Sequence, residues 1–147
     1  MRGLAKSLYD NYLDIFAEHL FNLYFFDLKE FFDGIQKLLS KEMSPSMIKY
    51  NSNFNKQIIA KKTKHYKLKH IKKLLNKTIE TIERCFSEEN KSLVLFVVQK
   101  VENTHLNHFK EYQKLISECY EGENVGFDSD EVKLKELWRE IQSAMKN

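Results

Sequence analysis

Three side chains in the second half of the sequence have the types and spacing that could bind a metal ion. Glu102, His105 and His108 follow one another at intervals of three residues, and Glu-x-x-His is a form that helical bundles use to bind paired metal ions. Such a site needs a second Glu-x-x-His and more carboxylates from facing helices. No other histidine has a Glu three residues before it. The sequence therefore predicts no metal site, no cofactor and a core-edge role for His105.

Nucleophilic catalysis and phosphate-loop chemistry have no candidate residues either. There is no Gly-x-Ser-x-Gly nucleophile elbow, and the four glycines are scattered along the chain, so they cannot form a Gly-rich phosphate loop. Cys85 and Cys119 fall on otherwise apolar helical faces, and we expect them to be buried thiols with no disulfide framework. The chain is accordingly not expected to be an enzyme, and a metal-dependent helical enzyme is the weakest alternative.

The charged residues are segregated along the chain. Residues 43–79 contain ten Lys and no acidic residue, whereas residues 1–42 contain five basic and seven acidic residues and residues 80–147 contain nine and fourteen. Lysines interleaved with aromatic rings suit a polyanion, because lysines neutralise phosphates and rings can stack on bases. The candidate residues for binding a partner or polyanion are Lys56, Lys61, Lys62, Lys64, Lys67, Lys69, Lys72, Lys73 and Tyr66.

Two kinds of partner fit this lysine-rich segment. The first is an acidic protein, for which charge complementarity supplies association rate and specificity. The second is nucleic acid or another polyphosphate, bound through Lys56 to Lys77 with Tyr66 as a stacking ring. Only three Arg occur in the chain, none of them in this segment, and Arg is the usual side chain for specific phosphate recognition. A solvated or internally paired face is the third interpretation.

Part of the same segment resembles a known phosphate-binding family. Met47-Ile48-Lys49-Tyr50, followed by Phe54, Tyr66, Lys69 and Ile71-Lys72-Lys73-Leu74-Leu75, is similar to the opening helical hairpin of SPX domains. That resemblance implies a helical hairpin that binds inositol polyphosphates. In that family the pattern opens the chain, whereas here it begins at residue 47, and the family's Pro-Trp pair between the two helices is absent. We therefore do not assign the chain to it.

Four helical segments would have to position these side chains. Gly and Pro are scarce, with four and one in the chain, which favours helices over a turn-rich sheet fold. Periodic apolar residues, caps and breakers predict the first helix over Ala5–Lys41 and the second from Ser44 or Phe54 to Cys85. The third follows the cap signature Ser87-Glu88-Glu89-Asn90 and ends at about Cys119. The fourth covers Ser129–Met145, with Asp128 or Ser129 as its cap.

The first predicted helix is apolar on nearly every side between Leu20 and Phe32. A surface helix has a single apolar stripe, so this helix is expected to be a buried axis enclosed by the others. Replacing Phe26 or Phe31 by Ala should then cost about 3–5 kcal/mol. Gly34 within it suggests a bend or a close helix crossing.

These observations predict an all-α fold: a single domain over residues 1–147, built as a bundle of about four helices with a largely buried first helix. The predicted function is non-enzymatic, an interaction protein of the inhibitor, immunity or assembly-subunit type. No stretch approaches the length of a membrane span, and a cytoplasmic location is expected. A homodimer through the aromatic surplus of the first helix is left open.

Overall fold

The computed structural model describes the backbone of residues 2–86, 91–127 and 130–145, and the side chains of the same ranges from residue 9 onward. Within them the chain forms five α-helices and one short 3-10 helix, and no strand. They are α1 (Arg2–Ser40), the 3-10 helix (Pro45–Tyr50), α2 (Lys56–Lys64), α3 (Leu68–Cys85), α4 (Lys91–Cys119) and α5 (Glu131–Met145). The all-α class is confirmed. The expected four helices are not observed, because the second is divided into three.

The first break in that second predicted helix lies between the 3-10 helix and α2, where asparagine side chains hydrogen-bond to the backbone. Asn51 Oδ1 accepts a hydrogen bond from the Asn53 amide at 2.8 Å, which turns the chain after the 3-10 helix. Asn55 Oδ1 accepts another from the Ile58 amide at 3.0 Å, and this is the N-cap geometry that begins α2. Asparagine side chains compete in this way with helical hydrogen bonds, so the 3-10 helix ends at Asn51 and α2 begins after Asn55.

Contacts with a distant loop accompany the second break, between α2 and α3. The Thr63 hydroxyl, at the end of α2, donates to the Val125 carbonyl at 2.9 Å, and Lys67 Nζ donates to the Gly126 carbonyl at 2.6 Å. Lys67 itself has extended dihedrals (φ −68°, ψ 159°). Between these two residues Tyr66 turns inward and is buried. The sequence alone gives no sign of these contacts, because the paired residues are about sixty positions apart.

Helix α4 is the centre of the core. It packs most extensively on α1 and also contacts the 3-10 helix, α3 and α5. Its inward residues Val101, His105 and Phe109 are buried and meet an aromatic cluster that includes Phe21 of α1 and Trp138 of α5. The core therefore forms mainly where α4 packs against α1.

Helix α1 has one buried face and one exposed face, and the expectation of a helix enclosed on all sides is wrong. Its buried side contains Phe21, Phe25, Leu28 and Phe32. On the outer side the exposed fractions are 57% for Tyr12, 63% for Ile15, 57% for Leu23 and 54% for Phe26. The core helices contact one side of α1, so apolar residues on the other side remain in solvent over the described residues.

Two features of α1 affect its path. Phe25 has non-helical dihedrals (φ −124°, ψ 27°), which mark a kink inside the helix. Gly34, where a bend or a close crossing was expected, is instead a point of close approach: a Cβ there would lie 2.9 Å from Cζ of Phe54. The missing side chain of Gly34 therefore gives space to an aromatic ring, and the kink occurs nine residues earlier.

The ends of the last two helices differ in part from the prediction. The expected cap signature at 87–90 and the expected caps of α5, Asp128 and Ser129, lie outside the described residues. Asp130 performs the capping role for α5, because its Oδ1 accepts a hydrogen bond from the Lys133 amide at 2.8 Å. The two cysteines also differ from each other: Cys119 is buried as expected, but Cys85, at the end of α3, is exposed.

Candidate interaction surface

The lysine-rich segment forms the exposed sides of α2 and α3. On α3, Lys69, Lys73 and Lys77 recur every four residues, so they share a face of the helix, and all three are exposed. The opposite face, with Ile71 and Leu75, is buried in the core. Burial of that face fixes the orientation of the helix and leaves its lysines in solvent.

Three of the candidate lysines are engaged by other parts of the chain. Lys56 Nζ lies 2.9 Å from Glu123 Oε2, and this neighbour lowers the pKa of the Glu123 carboxyl through a hydrogen bond and its positive charge. Lys72 Nζ lies 2.7 Å from Glu140 Oε1 of α5. Together with Lys67, which binds a loop carbonyl, they hold the segment against the rest of the protein.

The remaining lysines have no such partner. Within the described part of the chain, six lysines of α2 and α3 have no carboxylate oxygen within 4.0 Å. We call this set the lysine surface: Lys61, Lys62, Lys64, Lys69, Lys73 and Lys77. Five of the six are exposed, and Lys62 is half-buried. An internally paired face therefore accounts for only part of the segment.

A shallow groove of about 340 Å³ lies at one part of the lysine surface. It is lined by Lys61, Lys62, Asp27, His65 and Tyr66. The carboxylate of Asp27 makes this groove mixed in charge rather than uniformly positive. Charges of both signs therefore meet in this groove.

Tyr66 does not have the exposed position that the stacking hypothesis requires. Only 8% of the residue is exposed, and its ring packs on Phe25 with a centroid separation of 6.0 Å and an angle of 30° between the ring planes. Burial and the charge of Asp27 raise the pKa of its hydroxyl. Tyr66 is therefore a core residue that lines the groove. Contrary to the prediction, its ring is not exposed for stacking on bases.

The residues considered for a metal site have separate surroundings. His105 Nδ1 lies 2.9 Å from the Val101 carbonyl, and burial lowers the pKa of its ring to about 3. His108 Nε2 instead lies 2.7 Å from Glu18 Oε2, while Glu102 Oε1 accepts from Gln142 Nε2 at 2.6 Å. Among the described residues, no group of three or more His, Cys, Asp or Glu side chains could hold a metal ion.

The sequence interpretation missed a second exposed surface, on α1. Tyr12, Ile15, His19, Leu23 and Phe26 follow one another at steps of three or four residues, and all are exposed. We call these five residues the outer seam of α1. The available signal was the abundance of apolar residues on every side of this helix, which we interpreted as complete burial.

Comparison with known proteins identifies related chains. The family described as "Exocyst complex component Sec3, C-terminal" matches residues 1–122, a range that includes α1 through α4 but not α5. Two curated proteins named "Exocyst complex component 1" are also similar. The mouse protein is 26% identical over 121 residues, and the Drosophila melanogaster protein is 24% identical over 124 residues.

These matches cover 82% and 84% of this chain, but only 13% and 14% of the length of the two relatives. No solved structure matches the chain. The matching family is not the SPX family that residues 47–75 resemble. Over the part of the chain that is described, no helix has both the length and the hydrophobicity needed to cross a membrane.

Proposed function

The chain belongs to the family of the C-terminal part of exocyst component Sec3, and we propose that it is a non-catalytic assembly segment of an exocyst-type complex in the cytoplasm. In this role it binds an acidic protein partner through the lysine surface. The family supports a helical protein that acts by assembly. The two relatives are much longer than this chain. We therefore propose an assembly role for the matched part alone.

The observation that carries the acidic-partner proposal is the contrast between two sets of lysines on the same helices. Lys56 and Lys72 are neutralised by Glu123 and Glu140, whereas the lysine surface has no acidic partner among the described residues. Six unpaired lysines on two consecutive helices produce a local positive potential that steers an acidic partner and increases its association rate. Ion pairs at the edge of such an interface contribute more to rate and specificity than to affinity.

Two observations favour an acidic protein over nucleic acid. The segment contains no Arg, which is the side chain best suited to phosphate and base recognition. The proposed stacking ring, Tyr66, is buried against Phe25, and stacking on bases requires an exposed ring. Nucleic acid or polyphosphate is therefore the alternative partner, which a titration with RNA and DNA distinguishes from an acidic protein.

Charge reversal tests the proposal directly. The test variant changes Lys61, Lys69 and Lys73 to Glu, and the control variant makes the same change at Lys37, Lys41 and Lys114, which are exposed lysines on other parts of the chain. Tagged proteins are purified from the source cells at about 150 mM salt. Co-purified partners are identified by mass spectrometry and then rebound as purified proteins.

We expect exocyst-type subunits to co-purify with the wild-type chain and the control variant, and an acidic subunit among them to associate about tenfold or more slowly with the test variant. Retention of the same subunits at unchanged association rates would support assembly but reject the lysine surface. Absence of any such subunit would reject the assembly role.

A second measurement separates the polyanion alternative. Short RNA and DNA are titrated at about 50 and 200 mM salt; neutralisation of about five phosphates would give a log–log slope near −4.5 and a several-hundred-fold loss of affinity. That result, abolished in the test variant and retained in the control, would replace the acidic-protein proposal with polyanion binding. No binding at the lower salt concentration would leave the acidic protein as the partner.

A further inference from the structure

The outer seam of α1 carries an apolar stripe that no described part of the chain covers. From Tyr12 through Ile15, His19 and Leu23 to Phe26 the steps are three, four, four and three residues, which is the spacing of a helix–helix seam. The stripe is about 21 Å long at 1.5 Å per residue. Four large apolar side chains, with His19 between Ile15 and Leu23, are exposed along this one face, and exposed apolar patches mark interaction sites.

The kink at Phe25 lies inside this stripe, between Leu23 and Phe26. The regular part of the seam therefore runs from Tyr12 to Leu23, and Phe26 lies at its end. On the other side of α1, Leu13, Ala17, Leu20 and Phe21 are fully buried against the core. The helix is thus held in place by one face and presents a second apolar face to solvent.

Acidic side chains outnumber basic ones along the part of α1 that carries the outer seam. Residues 9–33 contain six acidic residues and one Lys. The exposed fractions of the Asp14, Glu18 and Asp33 side chains are 61%, 52% and 53% although each is in an ion pair. Glu30, one turn after Phe26, is exposed, with no cationic nitrogen within 4.0 Å among the described residues. The border of the apolar stripe is therefore negative.

We propose that the outer seam of α1 binds an amphipathic helix of a partner protein, with an apolar stripe at steps of three and four residues and Lys or Arg beside it. The apolar stripe of the partner covers Ile15 and Leu23, and its basic residues neutralise the acidic border. This is a second interaction surface with the opposite charge preference to the lysine surface, and it does not depend on the function proposed above.

A second copy of this chain does not fit the seam. Symmetric pairing of two outer seams would bring two acidic borders together, and like charges in such pairs are destabilising. Pairing of the seam with the lysine surface of another copy would lack an apolar counterpart, because the exposed large apolar residues of the described chain lie outside α2 and α3. The charge pattern therefore selects a different protein with a basic helix.

Three synthetic helices of about three heptads test this proposal. The first has Leu at the seam positions and Lys and Arg beside them. The second replaces those basic residues by Glu, and the third keeps them but replaces Leu by Gln. Binding to the purified chain is measured by fluorescence anisotropy, and the fold of each variant is checked by circular dichroism.

The test variants are the double substitution Ile15→Ser with Leu23→Ser and the charge reversal Glu30→Lys. Matched controls are Val132→Ser, an exposed apolar residue of α5, and Glu136→Lys, an exposed acid of the same helix. We expect the first peptide to bind the wild-type chain about tenfold or more tightly than either other peptide. The double variant should lower that affinity by about tenfold or more and Glu30→Lys by a few-fold, with the controls within about twofold.

Three results would overturn the proposal. They are equal binding of the first peptide to the wild-type chain and the folded double variant, equal or tighter binding of the Glu-bearing peptide, and failure of the first peptide to bind. Analytical ultracentrifugation provides an independent check. A wild-type dimer that the double variant converts to monomer would show that a second copy covers the seam, and would replace this proposal.

Discussion

Phe21 of α1 and His105 of α4 meet edge to face, with ring centroids 5.0 Å apart and ring planes at 88°. The same phenylalanine stacks on the ring of His108, at a centroid separation of 4.2 Å. This contact joins the two helices that pack most extensively on each other. The centre of the protein is therefore an aromatic cluster in which two histidines act as packing partners.

Phe21 and Phe26 are expected to respond differently to truncation. Phe21 is fully buried and Phe26 is more than half exposed. Phe21→Ala removes a ring from the core, leaves a cavity and should lower the free energy of unfolding by about 3–5 kcal/mol. Phe26→Ala should cost less than about 1 kcal/mol. Chemical denaturation of both variants measures the difference, and equal costs would show that the two faces of α1 do not differ in burial.

The contact between Thr63 and the 120–127 loop should be measurable as a hydrogen bond. Thr63 is buried and donates to the Val125 carbonyl at 2.9 Å. Thr63→Val keeps the shape but leaves this buried carbonyl without its donor, and should destabilise the fold by about 1–2 kcal/mol. Thr63→Ser keeps the hydroxyl and serves as the control. If Ser and Val at this position have the same unfolding free energy, the hydroxyl makes no net contribution.

His105 should make stability depend on pH. Burial lowers its pKa to about 3 in the folded protein, with a smaller contribution from His108, whereas the unfolded value is about 6.5. Between these values the unfolded chain binds one more proton than the folded chain. The stabilisation is therefore complete above about pH 6.5 and decreases as the pH falls, by at most about 1.4 kcal/mol per pH unit.

Urea unfolding between about pH 7.5 and 5 measures this effect. Over this interval the wild-type protein should lose about 2 kcal/mol more than His105→Phe, which keeps an aromatic ring but has no titratable group. His19→Gln is the matched control, because His19 is exposed, and it should follow the wild-type pH dependence. Parallel pH profiles for the wild-type protein and His105→Phe would contradict the buried neutral histidine.

The two thiols should react at different rates. Cys85 is exposed, whereas Cys119 is buried and its pKa is raised to about 11 by burial and by Glu118. Because the thiolate is the reactive form, a thiol reagent at about pH 8 should modify Cys85 rapidly and Cys119 only after unfolding. Cys85→Ser should abolish the rapid phase and Cys119→Ser should retain it. A rapid phase that persists in Cys85→Ser would mean that Cys119 is accessible.

The sequence by itself determined the features that depend on neighbouring residues. Scarce Gly and Pro together with apolar periodicity predicted an all-α chain, and the bounds of α4 and α5 follow closely from that periodicity. The lysine segment was also visible, because charge composition needs no coordinates. The absence of residue patterns for catalysis favoured an interaction protein of the inhibitor, immunity or assembly-subunit type, and the exocyst family that the chain matches agrees with the last of these.

Only the tertiary structure decided which side of each helix faces the core. The apolar residues of α1 have the same types on both faces, so the sequence could not distinguish buried Phe21 from exposed Phe26. Tyr66 turns inward and Lys67 binds Gly126 because a loop some sixty residues later lies beside them. Burial and ion pairing depend on residues that the fold brings together. Because these residues are far apart along the chain, no local sequence pattern predicts their contacts.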